Sequence, residues 1–439
     1  MVIGAAYPTM CVGVASAGNT VCVRWRLAVG VVGLAWSLTT VAAYLPPVLH
    51  RYTHSRTVIG ALLAVEGLVA LGVPLVVGPL SDRTRTRFGA RRPWLLAALL
   101  PMVGALAFLS VAGSLAATGA VLAVFYVAYY VYETPYRSMY PDRIDRRKLA
   151  KAMGAQHLLR GAAIGLALVL GGVLLQVARP LPFALAAGMV LAGGLAVVAL
   201  TEPEEAESRG DAFAPLRIVR EDRDVRLFLI ANTAWETTFA GMRTFVVLYV
   251  VRGLDEPLYV SSAILGAVAA GYLVAAVGVG RFADRLGLTR VILVASVVYG
   301  LGLISGGIPR HWHWPFLGLV FLVAIAAGAV MTLAWGLLYA LMGDEDEGSV
   351  AGLATMTKGI GIVVGPLVTG GAIDLLKGVF ASTDGYAAMW PVLAVPILAA
   401  IPLLFPLRRA ERASRGGGGR SPSPTGSRRR ATARRARRR

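Results

Sequence analysis

Twelve long apolar runs constrain the fold of this sequence more than any other feature. They cover approximately residues 27–48, 57–80, 95–114, 117–140, 152–177, 181–200, 226–250, 258–280, 291–308, 315–342, 349–375 and 386–407. A helix needs about 20 apolar residues to cross the hydrocarbon core of a bilayer. Only 15% of the residues are charged, whereas soluble domains carry about 25%. The sequence therefore predicts an all-α membrane protein with twelve transmembrane helices.

The lysines and arginines outside these runs are distributed unevenly. If the N-terminus is cytoplasmic, 33 of them lie on the cytoplasmic side and 6 on the external side, when Arg226 at the start of the seventh run is counted with the segment before it. Thirteen of the 33 belong to residues 408–439, but the asymmetry remains without them. Because cytoplasmic loops of membrane proteins are enriched in basic residues, we expect a multi-pass protein of the cell (inner) membrane with both termini in the cytoplasm.

Three short motifs recur about 200 residues apart, in the same order. The pairs are AWSLTT with AWETT, GPLSDR with GRFADR, and GAQHLLRG with GLATMTKG. A repeat at one offset indicates an internal duplication. We therefore predict two pseudo-symmetric six-helix bundles, residues 27–200 and 226–407, joined by a cytoplasmic linker, residues 201–225. Residues 1–26 are then an N-terminal extension and residues 408–439 a disordered basic tail.

The net charge of +19 is typical of nucleic-acid binding, but most of it lies in that tail. We expect the tail to contact anionic lipid headgroups rather than nucleic acid. The chain has only Cys11 and Cys22 and no phosphate-binding Gly-rich loop followed by Lys-Ser/Thr. No enzymatic activity, metal or cofactor is therefore expected, and we expect a monomer whose partners are a small molecule and the bilayer.

The segment GPLSDRTRTRFGARRPW, residues 78–94, places five arginines and Asp82 between the second and third runs. Together with PYRSMYPD, residues 135–142, it resembles the major facilitator superfamily, and within it the glycoside-pentoside-hexuronide:cation symporters and the sucrose:proton symporters. The resemblance implies alternating access, in which Asp82 accepts hydrogen bonds from a helix N-terminus of the other half. Such contacts would form a cytoplasmic gate. Its residues would be Gly78, Asp82, Arg83, Arg87, Gly89, Arg91, Arg92, Asp142, Asp284 and Arg285.

Ionisable residues inside the apolar runs cost about 2.5–3.5 kcal/mol each at a helix centre, and seven of them are candidates for a functional role. These candidates for proton or substrate coupling are Glu66, Glu133, Arg137, Arg160, Glu236, Arg243 and Lys358. The spacing of Glu133 and Arg137 predicts a salt bridge along one helix face. Glu236 is the candidate coupling carboxylate because it lies near the middle of its run.

Arg160 and Lys358 occupy equivalent depths in the two halves, so we expect them to face each other across a central cavity. Two cations so placed need a carboxylate or a ligand between them, and Glu66 is a candidate partner. Aromatic rings and amides at these depths suit sugars and drug-like rings. The predicted cavity residues are Trp36, Tyr129, Gln156, Asn232, Trp235, Trp335 and Tyr339.

The resemblance implies proton-coupled symport of a sugar or glycoside, driven by the proton gradient. Val69 and Val73 stand where melibiose-type carriers have two cation-binding aspartates, and Tyr126 stands near an aspartate of the sucrose carriers. Proton coupling must therefore use another acid. Two alternatives remain: a proton-driven exporter of a hydrophobic metabolite or drug, and a transport-inactive membrane sensor or scaffold.

Overall fold

The computed structural model describes residues 25–144, 146–202, 222–309, 311–342 and 347–416. Within these ranges it does not describe the side chains of residues 141, 146–154, 339, 342, 347–352, 354, 410 and 412–416. The helices are α1 Gly30–Leu49, α2 Arg56–Arg83, α3 Arg92–Val111, α4 Leu115–Arg143, α5 Arg146–Val177, α6 Leu181–Leu200, α7 Arg223–Leu248, α8 Leu258–Leu286, α9 Leu288–Gly306, α10 Phe316–Met342, α11 Glu347–Leu375, α12 Met389–Ala399 and α13 Ile401–Gly416.

Eleven segments of the described chain are long and apolar enough to cross a membrane. They are α1 to α6, α8 to α11, and the segment Tyr386–Arg409, which includes α12 and part of α13. The remaining long helix, α7, has 26 residues and carries Glu236 and Arg243 in its interior. The predicted all-α membrane fold is confirmed.

Short polar signals mark where several helices begin. Ser55 and Ser114 accept hydrogen bonds from the backbone two or three residues into α2 and α4, and Asp222 does so for α7. Such side chains satisfy the free N–H groups of a first helical turn. Pro93 and Pro182 occupy first-turn positions of α3 and α6, where proline lacks only an N–H that would have no intrahelical partner.

The end of the chain corrects one boundary. Helix α13 continues to Gly416, so the first nine residues of the predicted tail are helical rather than disordered. Residues 1–24, 203–221 and 417–439 lie outside the described residues. The predicted N-terminal extension, most of the linker and the rest of the tail therefore stay predictions.

Because most connections are short, consecutive membrane-length segments within each half alternate in direction across the bundle, with α12 and α13 counted as one segment. We call the side that carries the α1–α2 connection the α1–α2 side, and the opposite side the α2–α3 side. The distribution of basic residues predicts that the α1–α2 side is external.

Three helix pairs join the N-terminal half, α1 to α6, to the C-terminal half, α7 to α13. Helix α2 packs against α11, α5 against α8 and α1 against α7. Glycines permit the approach of α2 to α11: a Cβ at Gly60 would lie 2.2 Å from the carbonyl oxygen of Pro366, and one at Gly67 would lie 2.5 Å from that of Gly359. A larger residue at either place would force the halves apart.

The halves touch toward the α1–α2 side and diverge toward the α2–α3 side. A Cβ at Gly165 of α5 would lie 3.6 Å from Ala269 of α8. One turn further along the same face, a Cβ at Gly161 would meet no described atom within 4 Å. On α8, the residue one turn beyond Ala269 is Leu273, which is 59% exposed. The interior is therefore open on the α2–α3 side.

Candidate functional site

A cluster of charged side chains lies where the halves begin to diverge. On α4, Glu133 Oε1 accepts hydrogen bonds from Arg137 Nη2 at 2.8 Å and Nε at 3.1 Å. The same oxygen accepts one from Arg160 Nη1 of α5 at 3.3 Å. The salt bridge predicted from the spacing of Glu133 and Arg137 is present. The side chain of Arg137 is 46% exposed, so this group of charges reaches the open side.

Lys358 of α11 and Glu236 of α7 complete this central cluster of Glu133, Arg137, Arg160, Glu236 and Lys358. Among the described residues neither one forms a hydrogen bond or an ion pair, yet each lies within electrostatic range of the other. Lys358 also interacts electrostatically with Arg160 and Glu133 in the opposite half. Arg160 and Lys358 thus approach each other across the halves, as their equivalent depths suggested.

Glu66 does not pair with Arg160 or Lys358. This corrects the suggestion from the sequence that it is a partner of one of these cations. Its Oε2 pairs with Arg243 Nη2 at 2.8 Å, joining α2 to α7 across the halves. Glu66 is fully buried. Its other oxygen, the Nε of Arg243 and the hydroxyl of Tyr126 are buried without a described hydrogen-bond partner. Among the described contacts, the charges of Glu66 and Arg243 are therefore stabilised mainly by each other.

Most of the predicted cavity residues pack between helices instead of lining the opening. Trp36, Tyr129, Gln156, Asn232 and Trp235 are buried. Of these, Asn232 Nδ2 donates to Thr357 Oγ1 at 2.7 Å, which joins α7 to α11.

Trp335 is the predicted cavity residue that lies exposed, at 42%. It lies two turns beyond Gly328, whose face of α10 packs against Tyr272 of α8. Trp335 therefore lies on the face of α10 that is directed toward α8. The side chain of Tyr339 lies outside the described residues.

Three of the predicted gate residues, Asp82, Arg91 and Asp142, form one network with Ser81 on the α2–α3 side. Arg91 is buried and contacts Asp82 Oδ1 at 2.5 Å, Ser81 Oγ at 2.6 Å and Asp142 Oδ2 at 3.1 Å. All four residues belong to the N-terminal half. In this conformation Asp82 therefore pairs with Arg91, where the resemblance implied a helix N-terminus of the other half. Gly89 has φ +91° in the turn before α3, a backbone conformation that favours glycine.

The other predicted gate residues lie at the ends of α2, α3 and α8 and in the turn between α2 and α3. Arg83, Arg87, Asp284 and Arg285 are exposed, Gly78 lies in α2, and Arg92 begins α3. Within the described chain Asp284 forms no ion pair. In the C-terminal half, Glu411 of α13 instead accepts hydrogen bonds from the backbone N–H groups of Leu288 and Thr289 at 2.8 and 3.0 Å. Sequence reasoning missed Glu411 because it lies among the arginines of the predicted tail.

A second polar cluster joins the halves on the α1–α2 side. Asp374, at the end of α11, accepts hydrogen bonds from Ser55 Oγ at 3.0 Å, Arg56 N at 3.1 Å, and Thr57 N and Oγ1 at 2.8 Å each. Arg56 also pairs with Asp384. A carboxylate is favoured at a helix N-terminus such as that of α2.

We call Ser55, Arg56, Thr57, Asp374, Lys377 and Asp384 the Arg56 cluster. Lys377 Nζ lies 2.7 Å from Asp384 Oδ1. Sequence reasoning did not single out these residues. The Ser-Arg-Thr start of α2 was the available signal, because Ser55 is a helix-capping residue. The contact implied for Asp82, between a carboxylate and a helix N-terminus of the other half, occurs here on the opposite side.

His50 directly follows α1, beside the Arg56 cluster, and its ring centroid lies 5.3 Å from that of His54 and 6.5 Å from that of Tyr386. Burial, followed by the positive charges of Arg252 and Arg56, lowers the pKa of His50 to about 4, although Asp384 acts in the other direction. A histidine freed by opening titrates near 6.5. The closed α1–α2 side is therefore most stable above pH 6.5 and loses stability as the pH falls toward 4.

We expect this loss to reach about 3 kcal/mol at most, from the size of the pKa shift. A cysteine at buried Val48 reports opening on this side, in a chain whose Cys11 and Cys22 are serine. Its maleimide labelling, relative to that of a cysteine at exposed Val379, should increase between pH 6.5 and 4. His50→Gln should flatten this increase. An unchanged pH profile in His50→Gln would assign the effect to other groups.

The membrane-length helices form two halves that are joined on the α1–α2 side and open on the α2–α3 side, with a cluster of charged residues between them. These features define a polytopic membrane transporter. The sequence matches the Major Facilitator Superfamily over residues 27–366 and 257–438. The chain belongs to this family. A search of curated proteins returns no significant match.

Solved structures share the fold. A bacterial homolog to the human lysosomal transporter Spinster, in an inward-facing and unoccupied conformation, has TM-score 0.76 and 14% identity, covering 93% of this chain and 100% of that chain. The inward-facing and occupied form has TM-score 0.71 and 14% identity, covering 92% and 98%. The nucleoside transporter NupG has TM-score 0.68 and 13% identity, covering 89% and 98%. At these identities the likeness concerns the fold alone.

Proposed function

We propose that this chain is a proton-coupled secondary transporter that moves a polar metabolite by alternating access. The observation that carries the proposal is Glu236, a buried carboxylate without a described partner beside Lys358. Ionisable residues in membrane interiors are costly and typically mark ion or substrate pathways. Taking up a proton at Glu236 changes the net charge of the central cluster, which links proton and substrate binding.

Alternating access requires that one side closes as the other opens. The Arg56 cluster closes the α1–α2 side, which we place outside the cell, and the opening lies on the α2–α3 side, which we place in the cytoplasm. Transport then breaks the contacts of Asp374 with α2 and brings the other ends of the halves together. The Arg91 network stays within one half and keeps the ends of α2, α3 and α4 as one unit.

We further propose that the substrate belongs to the sugars, glycosides or similarly hydroxylated metabolites. The opening presents arginine, lysine and carboxylate groups, and such groups bind a polar molecule by hydrogen bonds. A hydrophobic drug would leave these charges desolvated and unpaired, at a large cost. The charged interior therefore favours the symporter over the drug exporter.

The test uses the purified full chain in proteoliposomes with an imposed pH gradient. Labelled sugars and glycosides, their acidic derivatives and hydrophobic drugs are offered in parallel. With one proton per substrate, a gradient of one pH unit sustains about a tenfold concentration ratio.

The decisive comparison is between Glu236→Gln and the matched loop variant Glu256→Gln. We expect Glu236→Gln to abolish gradient-driven accumulation while substrate exchange across the membrane continues, and Glu256→Gln to behave as the wild type. Equal accumulation by Glu236→Gln and the wild type would refute the coupling role. Exchange without any gradient dependence in the wild type would refute proton coupling itself.

A further inference from the structure

The central cluster differs from the other buried charges of the described chain in how its cations are paired. Arg56 has Asp374 and Asp384, and Arg91 has Asp82 and Asp142. These two buried arginines each have two carboxylate partners, and the buried Arg243 has one, Glu66.

In the central cluster the ratio is reversed. Arg137 and Arg160 share one oxygen of Glu133, and Lys358 has no described partner. Even with Glu236 ionised, three cations face two carboxylates, and with Glu236 protonated they face one. Uncompensated charge is expensive in a membrane interior. A site with this imbalance is suited to an anion supplied from outside the protein.

The position of the cluster allows such an anion to enter and to act on both halves. Arg137 is 46% exposed, and Arg160 immediately precedes Gly161, where the contact of α5 with α8 has ended. Arg160 belongs to the N-terminal half and Lys358 to the C-terminal half, and their charges repel each other. An anion between them would turn this repulsion into two attractions across the opening.

We propose that the substrate carries an anionic group, a carboxylate or a phosphate, which binds between Arg160 and Lys358 with Arg137 nearby. The inference rests on the proposed function for placing this cluster in a transport path, and it deepens that proposal by naming the substrate class. With Glu236 protonated and no anion bound, repulsion among the three cations opposes closure of the α2–α3 side. An anion between Arg160 and Lys358, or an ionised Glu236 in the empty site, lessens this repulsion, so the halves exchange in the loaded and the empty states.

Glu236 couples proton binding to anion binding. When Glu236 takes up a proton, the cluster gains one unit of positive charge and attracts the anion more strongly. A proton and a monoanion therefore bind together and move as a neutral pair. Glu236→Gln imitates the protonated state and should keep anion binding while removing its dependence on pH.

Binding to the purified full chain tests the proposal without requiring transport. Two matched sets of ligands are used, each with a neutral member, a carboxylate and a phosphate. The sugar set is glucose, glucuronate and glucose 6-phosphate, and the aromatic set is benzyl alcohol, benzoate and phenyl phosphate. We expect the acids to raise the melting temperature and to bind by calorimetry at least about tenfold more tightly than the neutral member of their set, as charge-assisted hydrogen bonds do. The two acidic arms distinguish a carboxylate from a phosphate.

Variants of Arg160 and Lys358 test whether the central cluster binds the acids. Lys358→Gln and Arg160→Gln should each weaken acid binding about tenfold or more, whereas Lys358→Arg should retain it. Arg281→Gln, which removes an exposed cation on α8, should bind as the wild type. Size-exclusion chromatography and melting of each ligand-free variant show whether it is folded, and Lys358→Arg provides the comparison if Lys358→Gln is unstable.

The proposal is overturned if the neutral ligands bind as tightly as the acids, if no acid in either set binds selectively, or if Lys358→Gln binds acids like the wild type. Its failure differs from that of the proposed function. Selective acid binding without gradient-driven accumulation would refute proton coupling alone. Gradient-driven accumulation of neutral sugars would support proton coupling and refute the anionic substrate.

Discussion

Arg56→Gln is expected to open the α1–α2 side of the transporter. The substitution removes the positive charge that joins α2 to Asp374 and Asp384 across the two halves. Breaking a buried ion pair by removing one partner costs about 3–5 kcal/mol. Because only the closed arrangement has this pair, a cost of about 3 kcal/mol shifts the ratio of closed to open molecules by about a hundredfold. Asp374→Ala, which removes the four hydrogen bonds that Asp374 accepts from the start of α2, should act in the same direction.

Pulsed electron paramagnetic resonance measures the shift directly. Spin labels at Leu181 and Ile308 report the distance between the halves on the α1–α2 side, and labels at Phe88 and Leu286 report it on the α2–α3 side. In Arg56→Gln we expect the first distance to lengthen and the second to shorten.

Lys377→Gln is the matched control for this experiment. It removes a pair with Asp384 that lies within the C-terminal half and is largely exposed, and such pairs contribute little. Its distance distributions should therefore match those of the wild type. If Arg56→Gln and Asp374→Ala also leave both distributions unchanged, the Arg56 cluster does not hold the halves together.

The fold was predictable because its cause is visible in the sequence. The cost of burying polar backbone in lipid leaves helices as the response to long apolar runs, and the charges between the runs fix their limits. The pair of Glu133 and Arg137 was predictable for a similar reason, since residues four apart on one helix are neighbours whatever surrounds them. The internal repeat placed Arg160 and Lys358 at matching depths.

Partners on different helices could not be derived in this way. The sequence shows how deep Glu66 lies but not how α2 is rotated about its axis, and that rotation directs Glu66 toward Arg243 of α7. The sequence likewise does not show the rotation of the other helices about their axes. This rotation explains why Trp36, Tyr129 and Trp235 pack between helices while Trp335 is exposed. A residue at cavity depth can face the cavity, a neighbouring helix or lipid.

The gate contacts depend on conformation as well as on sequence. Asp82 pairs with Arg91 within its own half while the α2–α3 side is open, so no partner in the other half is needed in this state. Asp374 provides the corresponding contact on the closed side. Sequence reasoning assigned such a contact to the side with the more prominent motif, whereas the structure shows it on the side that is closed.

Arg243→Ala is expected to produce the largest loss of stability of any single change considered. It leaves Glu66 fully buried in the membrane interior with neither oxygen bound, because Oε1 has no described partner in the intact protein. Removing one member of a buried pair costs about 3–5 kcal/mol. We expect a clear fall in the melting temperature of the purified protein in detergent, followed by intrinsic fluorescence.

The double variant Glu66→Gln with Arg243→Gln distinguishes the loss of the ion pair from the cost of leaving one buried charge unpaired. It leaves two amides that can bond to each other and no uncompensated charge, so it should be more stable than Arg243→Ala alone. Arg137→Ala is the matched control, since Glu133 keeps Arg160 and the lost side chain is partly exposed; about 1 kcal/mol or less is expected. A wild-type melting temperature in Arg243→Ala would contradict the assignment.

Repeating the comparison in the Arg56→Gln background relates the pair to transport. Helices α2 and α7 belong to different halves, so the Glu66–Arg243 contact either persists or breaks when the α1–α2 side opens. If it breaks, Arg243→Ala costs little in molecules already open on that side, and the coupling energy of the pair falls with the closed population. If it persists, the cost is the same in both backgrounds, and the pair is a pivot about which the halves rotate.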